Sequence, residues 1–286
     1  MKSIRKKLLW ILAYISTGVA LILPFISITS WEFWTIDFKL FLSVNLFIPP
    51  LLLYKKTRYI RPVIMLMCLT LFGFLQMACP RLPGAIELFV LNLTSGKAFL
   101  QFGIKIAIIV IMTLLFSRYY CGWICPKGTV QEMVYQSRFN TTMPLWIDRK
   151  LKYLKYIMLG LLILCPLIFQ YRLYEHIGPF RVIFNLGGSP LLVLHFAFWI
   201  ILSVFVERAY CRYFCPEGAL LALINKISIF RIRIDSKCTS CRQCEEICPV
   251  DAINIKDRKV LSICKEECIV CKECEAKCRK NMINFL

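Results

Sequence analysis

The sequence predicts an α-helical membrane protein of about six transmembrane helices, residues 1–229, carrying a small C-terminal α+β domain, residues 230–286. Three observations predict this. The chain is 58% hydrophobic over 286 residues, whereas soluble domains hold about 45–50% apolar residues. The apolar residues arrive in runs separated by basic clusters. After Ile229 the runs give way to short alternating stretches and closely spaced cysteines.

The first apolar run, Leu8–Ile28, follows the basic stretch Met1–Lys7. It is long for a signal-peptide core and lacks a small-x-small cleavage pattern, so it reads as a retained anchor. The second run is Thr35–Tyr54, weakened by Asp37, Lys39 and the Pro49-Pro50 pair. Pro62–Ala78, Phe99–Ser117 (with Lys105), Leu154–Tyr171 and Leu191–Val206 complete the six. Several fall short of the ~20 residues that span a bilayer comfortably, and flanking Tyr, Trp, Lys and Arg can snorkel to extend them. The segment from Cys79 to Ala98, with Pro83-Gly84 and Glu87, is too long and apolar for a plain connector; it reads as a re-entrant segment or a membrane-surface helix. Gly218–Ile229 reads as a mostly apolar helix near the membrane surface.

The net charge of +19 raises nucleic acid as a partner, but its distribution argues against one. Arg231–Leu286 carries 12 basic and 9 acidic residues, while the first 230 residues carry 24 and 8. The excess lies between apolar runs, where it sets orientation. Met1–Lys7, Lys55–Arg61 and Arg118–Lys152 hold four, four and six basic residues; the alternate loops hold only Lys39, Arg81, Lys97, Arg172 and Arg181. This bias puts both termini in the cytoplasm of a multi-pass inner-membrane protein.

In the C-terminal part, Arg231–Asp235 reads as a first strand, Ala252–Ile255 and Val260–Ile263 as a hairpin, and Asn281–Leu286 as a closing strand. Between them lie two runs, Cys238-x2-Cys241-x2-Cys244-x3-Cys248-Pro249 and Cys268-x2-Cys271-x2-Cys274-x3-Cys278. This is iron–sulfur spacing; zinc sites separate two C-x2-C pairs by a longer stretch. The fourth cysteine of each run crosses to the other cluster. The predicted ligand sets for two [4Fe–4S] clusters are therefore Cys238, Cys241, Cys244 and Cys278, against Cys268, Cys271, Cys274 and Cys248. Such thiols require a reducing compartment until clusters are inserted, in agreement with the charge bias. Cluster binding turns the domain's +3 into about −1, so the basic loops are candidates to hold it at the membrane face. Cys264 reads as a buried apolar thiol.

This stretch resembles the bacterial-type two-[4Fe–4S] ferredoxins, an α+β fold, over about Phe230 to Leu286. It departs from their pattern where Cys278-Arg279 replaces Cys-Pro, which bears on the exposure or potential of that cluster rather than on its ligands.

A second constellation lies earlier. Cys121-Gly122-Trp123-Ile124-Cys125-Pro126 follows the fourth run and Cys211-Arg212-Tyr213-Phe214-Cys215-Pro216 the sixth. Both are C-x3-C-P, both follow a basic-aromatic end, and both have Gly two residues after the proline (Gly128, Gly218). Cys121, Cys125, Cys211 and Cys215 together offer four thiolates for a third cluster, another metal or a redox-active thiol pair. The plain alternative is packed thiols at helix starts, with Pro126 and Pro216 at N1 positions.

With these motifs the chain resembles the membrane polyferredoxins of the NapH type, in the NapH/NosR/CcoG group, well from Phe99 to Leu286 and loosely before that. Its layout is closest to the compact NapH form, without the NosR-type flavin-binding or CcoG-type C-terminal domains. The resemblance implies electron transfer between the quinone pool and a redox partner, as a quinol dehydrogenase or electron-transfer subunit. It further implies a second iron–sulfur subunit or terminal reductase beside the lipid bilayer as partners. Two other classes remain: an assembly or metal-reducing factor using the C-x3-C-P thiols, and a cluster-based redox sensor.

The only histidines are His176, in an outer loop, and His195, about one turn into the sixth run. A haem between them would sit at the outer edge. His195 reads as a satisfied polar group or as the acceptor of a quinol proton, with Glu175, His176 and Asp37 on the same side. Cys68 and Cys165 read as packing residues inside runs.

Overall fold

The computed structural model describes residues 2–22, 36–75, 82–92, 97–139, 145–235, 238, 241–256 and 259–285. In chain order the helices are α1 Lys2–Ile22, α2 Ile36–Leu51, α3 Arg61–Cys68, α4 Leu82–Leu91, α5 Lys97–Phe116, α6 Tyr119–Trp123, α7 Pro126–Val134 and α8 Leu145–Phe169. Then come α9 Leu173–Ile177, α10 Arg181–Phe184, α11 Pro190–Phe205, α12 Ala209–Tyr213 and α13 Pro216–Asn225. The C-terminal part follows as β1 Ile232–Ile234, α14 Gln243–Glu246, β2 Ile253–Lys256, β3 Lys259–Ile263, α15 Glu273–Lys277 and β4 Ile283–Phe285.

The described parts of the apolar runs are mostly helical. Among the described residues two helical stretches are long and apolar enough to cross a membrane, Thr57–Leu75 and Trp146–Phe169. Ala13–Ile22, Phe38–Leu51, Gly103–Phe116 and Pro190–Phe205 are shorter apolar helices. The third run ends differently from expectation: α3 continues as a π-helix over Leu69–Leu75, and residues 76–81, including Cys79 and Pro80, lie outside the described residues. The fifth run starts earlier than expected. Its hydropathy is masked by Asp148, Arg149, Lys150 and Lys152, yet the helix begins at Leu145. The segment after Cys79 contains α4, whose Glu87 is buried and accepts the Tyr174 backbone N–H at 2.7 Å.

Contacts divide the chain into two compact units: Met1–Ile64, Met112–Ile124 and Ile227–Leu286 form one; Met65–Ile111 and Cys125–Lys226 form the other. In the first unit α1 packs on α2. The predicted first and closing strands pair antiparallel, Ile232 opposite Phe285 and Ile234 opposite Ile283. The predicted hairpin forms between β2 and β3, with an irregularity at Asn254/Ile255. Ile232, Ile283 and Phe285 alternate into the core and Arg233 points out, the period of a half-buried strand.

In the second unit an aromatic core joins Phe180, Phe184, Trp199, Tyr210 and Tyr213. α13, expected near the membrane surface, packs along α8. Asp148 of α8 ties in α12: it takes Arg212 at 2.6 Å, the Tyr213 hydroxyl at 2.8 Å and Lys152 at 2.6 Å. Burying these charges is tolerable because each is paired and hydrogen-bonded. The π-helical segment presents Gly73 to Phe184; a Cβ there would stand 2.7 Å from the ring.

Gly73→Val therefore overpacks the second core. Thermal unfolding of the purified protein should show a loss of about 1–3 kcal/mol, and an unchanged melting temperature would contradict the contact.

Candidate iron–sulfur sites

The two cysteine runs repeat at an offset of thirty residues, and the repeat reaches the backbone. Arg242 and Lys272 are both left-handed, at φ 63° and 66°, and so are Asp251 and Asn281, at 45° and 52°. Non-glycine residues rarely adopt such angles; two pairs at the cysteine offset mean that the two loops turn alike at these positions. Arg242 precedes α14 and Lys272 precedes α15, the short helices that carry Cys244 and Cys274. The fourth cysteines match as well: the Ala252 N–H donates to Cys248 Sγ at 3.3 Å, and the Met282 N–H to Cys278 Sγ at 3.4 Å. Such N–H···S bonds stabilise thiolates that hold a cluster.

Cys248, Cys268, Cys271 and Cys274 line one cavity together with Ile232, Val250, Ala252, Ile253, Ile263 and Ile269. Burial pushes the Cys268 thiol up to about 12 and raises Cys271 and Cys274 above their ordinary range. A metal cluster would deprotonate these thiols outright and offset the cost of burying them in an aliphatic wall. Among the described residues no three Cys, His, Asp or Glu side chains converge on a position for a single ion. Four thiols around an apolar cavity, those of Cys271 and Cys274 buried and those of Cys248 and Cys268 half-buried, are the donor set of a cubane. For the other set, Cys244 is buried and feels Cys238 and Cys241 beside it, while Cys241 is exposed. Cys278 is half-buried, on the residue after α15. The extra Cys264 is half-buried rather than buried, its thiol 3.6 Å from a Glu266 carboxylate oxygen.

The loop of the second run rests on residues that sequence reasoning passed over. The Trp123 indole N–H donates to the Val270 carbonyl at 2.9 Å. Arg61 Nε donates to the Gly122 carbonyl at 3.0 Å, and its guanidinium, with that of Arg58, pairs with Glu273 at 3.4 and 2.9 Å. Lys272 Nζ donates to the carbonyls of Leu52 (2.9 Å) and Tyr54 (2.7 Å). Arg118 donates to the Glu266 carbonyl and pairs with Glu267 at 3.7 Å. A Cβ on Gly122 would collide with the Ile269 carbonyl oxygen. The basic residues flagged for orientation thus include three that bind the cysteine-rich part directly; only the charge bias hinted at them.

Of the C-x3-C-P cysteines, Cys121 belongs to the first unit and Cys125, Cys211 and Cys215 to the second. Cys125 and Cys215 each cap a helix, with Pro126 and Pro216 at N1 of α7 and α13. Cys215 Sγ accepts the Gly218 N–H at 3.4 Å, and Cys211 Sγ accepts from Gln131 Nε2 at 3.1 Å. Burial raises the Cys215 thiol first of all, the Lys127 ammonium opposes this, and the neighbouring Cys211 and Cys125 add to it. The positions after the two prolines, Lys127 and Glu217, form an ion pair at 3.1 Å with both side chains 1% exposed. Opposite charges at equivalent positions of the repeat were the available signal. Lys127 also sits over the Tyr174 ring, 5.4 Å from its centroid.

His195 Nε2 accepts the Trp199 indole N–H at 2.7 Å, and the ring also bonds the backbone of Ile177. His195 and His176 line one pocket of about 630 Å3 with Ile177, Leu191, Leu194 and Phe198. Glu175 pairs with Arg172 and Arg181. The side chain of Asp37 lies outside the described residues. Cys68 is buried and Cys165 half-buried, as packing residues are.

Cysteine-lined cavity and repeated loops are those of an iron–sulfur electron-transfer protein, and comparison with known proteins bears this out. A family model described as a 4Fe-4S binding domain matches residues 103–153 and 189–235, which include both C-x3-C-P motifs; a second of the same description matches 232–254. An uncharacterized Methanocaldococcus jannaschii protein is 31% identical over 237 residues, 80% of this chain and 96% of the relative. The ferredoxin-type protein NapH of Haemophilus influenzae is 28% identical over 159 residues, 50% of this chain and 51% of its own. The regulatory protein NosR of Stutzerimonas stutzeri is 28% identical over 146 residues, 47% of this chain and 20% of its own. No solved structure matches. The chain belongs to the NapH/NosR-like family of 4Fe–4S electron-transport proteins.

Breaking one partner of the buried Lys127–Glu217 pair should cost about 3–5 kcal/mol, whereas replacing both with apolar residues should restore most of it. Unfolding of Lys127→Met, Glu217→Leu and the double variant checks this; additive losses would contradict it.

Proposed function

We propose that this chain is a multi-pass protein of the cytoplasmic membrane, with about six spans and both termini in the cytoplasm, that passes electrons between the quinone pool and a redox partner. Two [4Fe–4S] clusters carry the electrons, one on Cys238, Cys241, Cys244 and Cys278, the other on Cys268, Cys271, Cys274 and Cys248. The observation that carries the reading is the apolar cavity where Cys248, the last cysteine of the first run, meets the first three of the second. When bound, each cluster takes and gives one electron at a time. The protein's part is to exclude water, donate N–H groups to the sulfurs, and hold the loops rigid through Trp123, Arg61 and Lys272.

Support for the membrane and quinone parts comes from the basic-loop bias, from the apolar helices and from the pocket beside His195. Its volume is that of an ordinary small-molecule site, and its aliphatic and Phe198 lining suits a quinone ring. To take a quinol proton at Nε2, His195 exchanges the Trp199 bond for one to the quinol hydroxyl, while Ile177 holds the ring. The partner is a second iron–sulfur subunit or a terminal reductase. The gathering of Cys125, Cys211 and Cys215 beside Lys127 favours a second reading, in which these thiols bind or reduce a metal ion for assembly of a respiratory enzyme.

Anaerobic purification from membranes should give about eight irons per chain, four per cubane, and a quinol should reduce them as followed by EPR. His195→Ala should slow reduction by quinol but not by dithionite. Clusters that dithionite reduces and quinol does not would overturn the quinone-pool reading. About twelve irons would assign a third cubane to Cys121, Cys125, Cys211 and Cys215.

A further inference from the structure

We infer that the two cluster sites have different jobs. The set Cys248, Cys268, Cys271 and Cys274 is the inner electron port, docked on the first C-x3-C-P segment by Gly122, Trp123 and Arg61. The set Cys238, Cys241, Cys244 and Cys278 is the outer port, open to a soluble redox partner. This inference deepens the proposed function and rests on it.

The asymmetry is visible because the two loops are otherwise copies of each other. They share cysteine spacing, left-handed residues and N–H···S bonds. What differs is what each touches. On the second loop, Val270 takes the Trp123 indole N–H at 2.9 Å, and Ile269 presses its carbonyl onto Gly122, whose absent Cβ leaves the only room for it. A Cβ built on Gly122 would also stand 3.6 Å from the Cys271 backbone nitrogen, so the loop is seated beside one of its own ligand residues. Arg61 fastens the seat from the other side, donating to the Gly122 carbonyl and pairing with Glu273 in the helix that carries Cys274.

Among the described residues of the first loop, the counterparts of Cys271 and Lys272 have another character. Cys241, the counterpart of buried Cys271, is exposed, and Arg242, the counterpart of buried Lys272, is exposed with its acid partner Glu245, 4.0 Å away. Lys272 spends its ammonium on the carbonyls of Leu52 and Tyr54. One copy of the loop is built to be seated and the other to be met by solvent or a partner.

The electron balance is simple. With clusters bound, a quinol would give two protons to His195 and water and two electrons, one at a time, to the cluster held by the inner set, which would be reoxidised as the cluster held by the outer set is reduced. The outer set then gives its electron to the partner. Flow in the opposite sense uses the same order reversed. Gly122, Trp123 and Arg61 are positioning residues, since none is a ligand.

The test uses the full-length protein in lipid nanodiscs, reduced with dithionite, with EPR signals assigned by Cys274→Ser for the inner set and Cys244→Ser for the outer. A water-soluble dysprosium chelate should enhance relaxation of the outer signal and leave the inner one largely unaffected. Gly122→Val should open the inner signal to the chelate and shift its reduction potential without moving the outer potential. Trp123→Phe, which keeps the ring and removes the donor, should do the same to a lesser degree. Equal enhancement of both signals in the unsubstituted protein, or a Gly122→Val shift in the outer signal alone, would overturn the inference. If quinol reduces neither set, the quinone-pool reading fails, while the chelate result still decides which set is docked.

Discussion

Much of the first unit hangs on one close approach, the Ile269 carbonyl against the Gly122 backbone. Only a residue without a side chain allows two main chains this near. Once they meet, neighbouring polar groups have little choice of partner. Trp123 turns its N–H to Val270, Arg61 closes over the Gly122 carbonyl, and Lys272 reaches the carbonyls of Leu52 and Tyr54. Each of these three donors finds an acceptor, the condition under which burying Arg and Lys is tolerable. The cysteine-rich loop is therefore fixed to α6 by hydrogen bonds to its backbone as well as by ion pairs.

Two internal repeats explain much of the remaining chemistry. The thirty-residue repeat builds two similar thiol loops; the ninety-residue repeat builds two similar helix starts, at Cys125-Pro126 and Cys215-Pro216. In both cases function enters where the copies diverge. Lys127 and Glu217 occupy one repeat position with opposite charge and so can bury each other. Lys272 and Arg242 occupy one position with like charge but opposite burial. A repeat gives symmetry of shape, and single substitutions give it direction.

The legible parts were those that local rules decide. The described parts of the apolar runs became helices, the alternation in Ile232–Ile234 and Ile283–Phe285 became paired strands, and Pro126 and Pro216 took the N1 places that their missing N–H groups suit. Cys248 lines one cavity with Cys268, Cys271 and Cys274, a grouping that the crossed ligation expected of such paired cysteine runs calls for. What stayed hidden depends on contacts distant in sequence. Trp123 reads as one more interfacial aromatic until Val270 is placed beside it, 147 residues on. Arg61 reads as orientation charge until Glu273 arrives. The start of α8 was hidden because Asp148 in its first turn is buried on Arg212, Tyr213 and Lys152 rather than left to solvent. His195 looked available because nothing in the sequence shows that Trp199, one turn on, already fills Nε2.

The docking of the second cysteine loop on the Gly122–Trp123 segment is the claim on which the rest leans, and amide hydrogen exchange of the cluster-loaded full-length protein tests it most directly. The account predicts slow exchange across Ile269–Glu275, strongly accelerated by Gly122→Val while Arg242–Cys248 is unchanged. Exchange of Ile269–Glu275 that is fast in the unsubstituted protein, or that Gly122→Val leaves as it was, would contradict it.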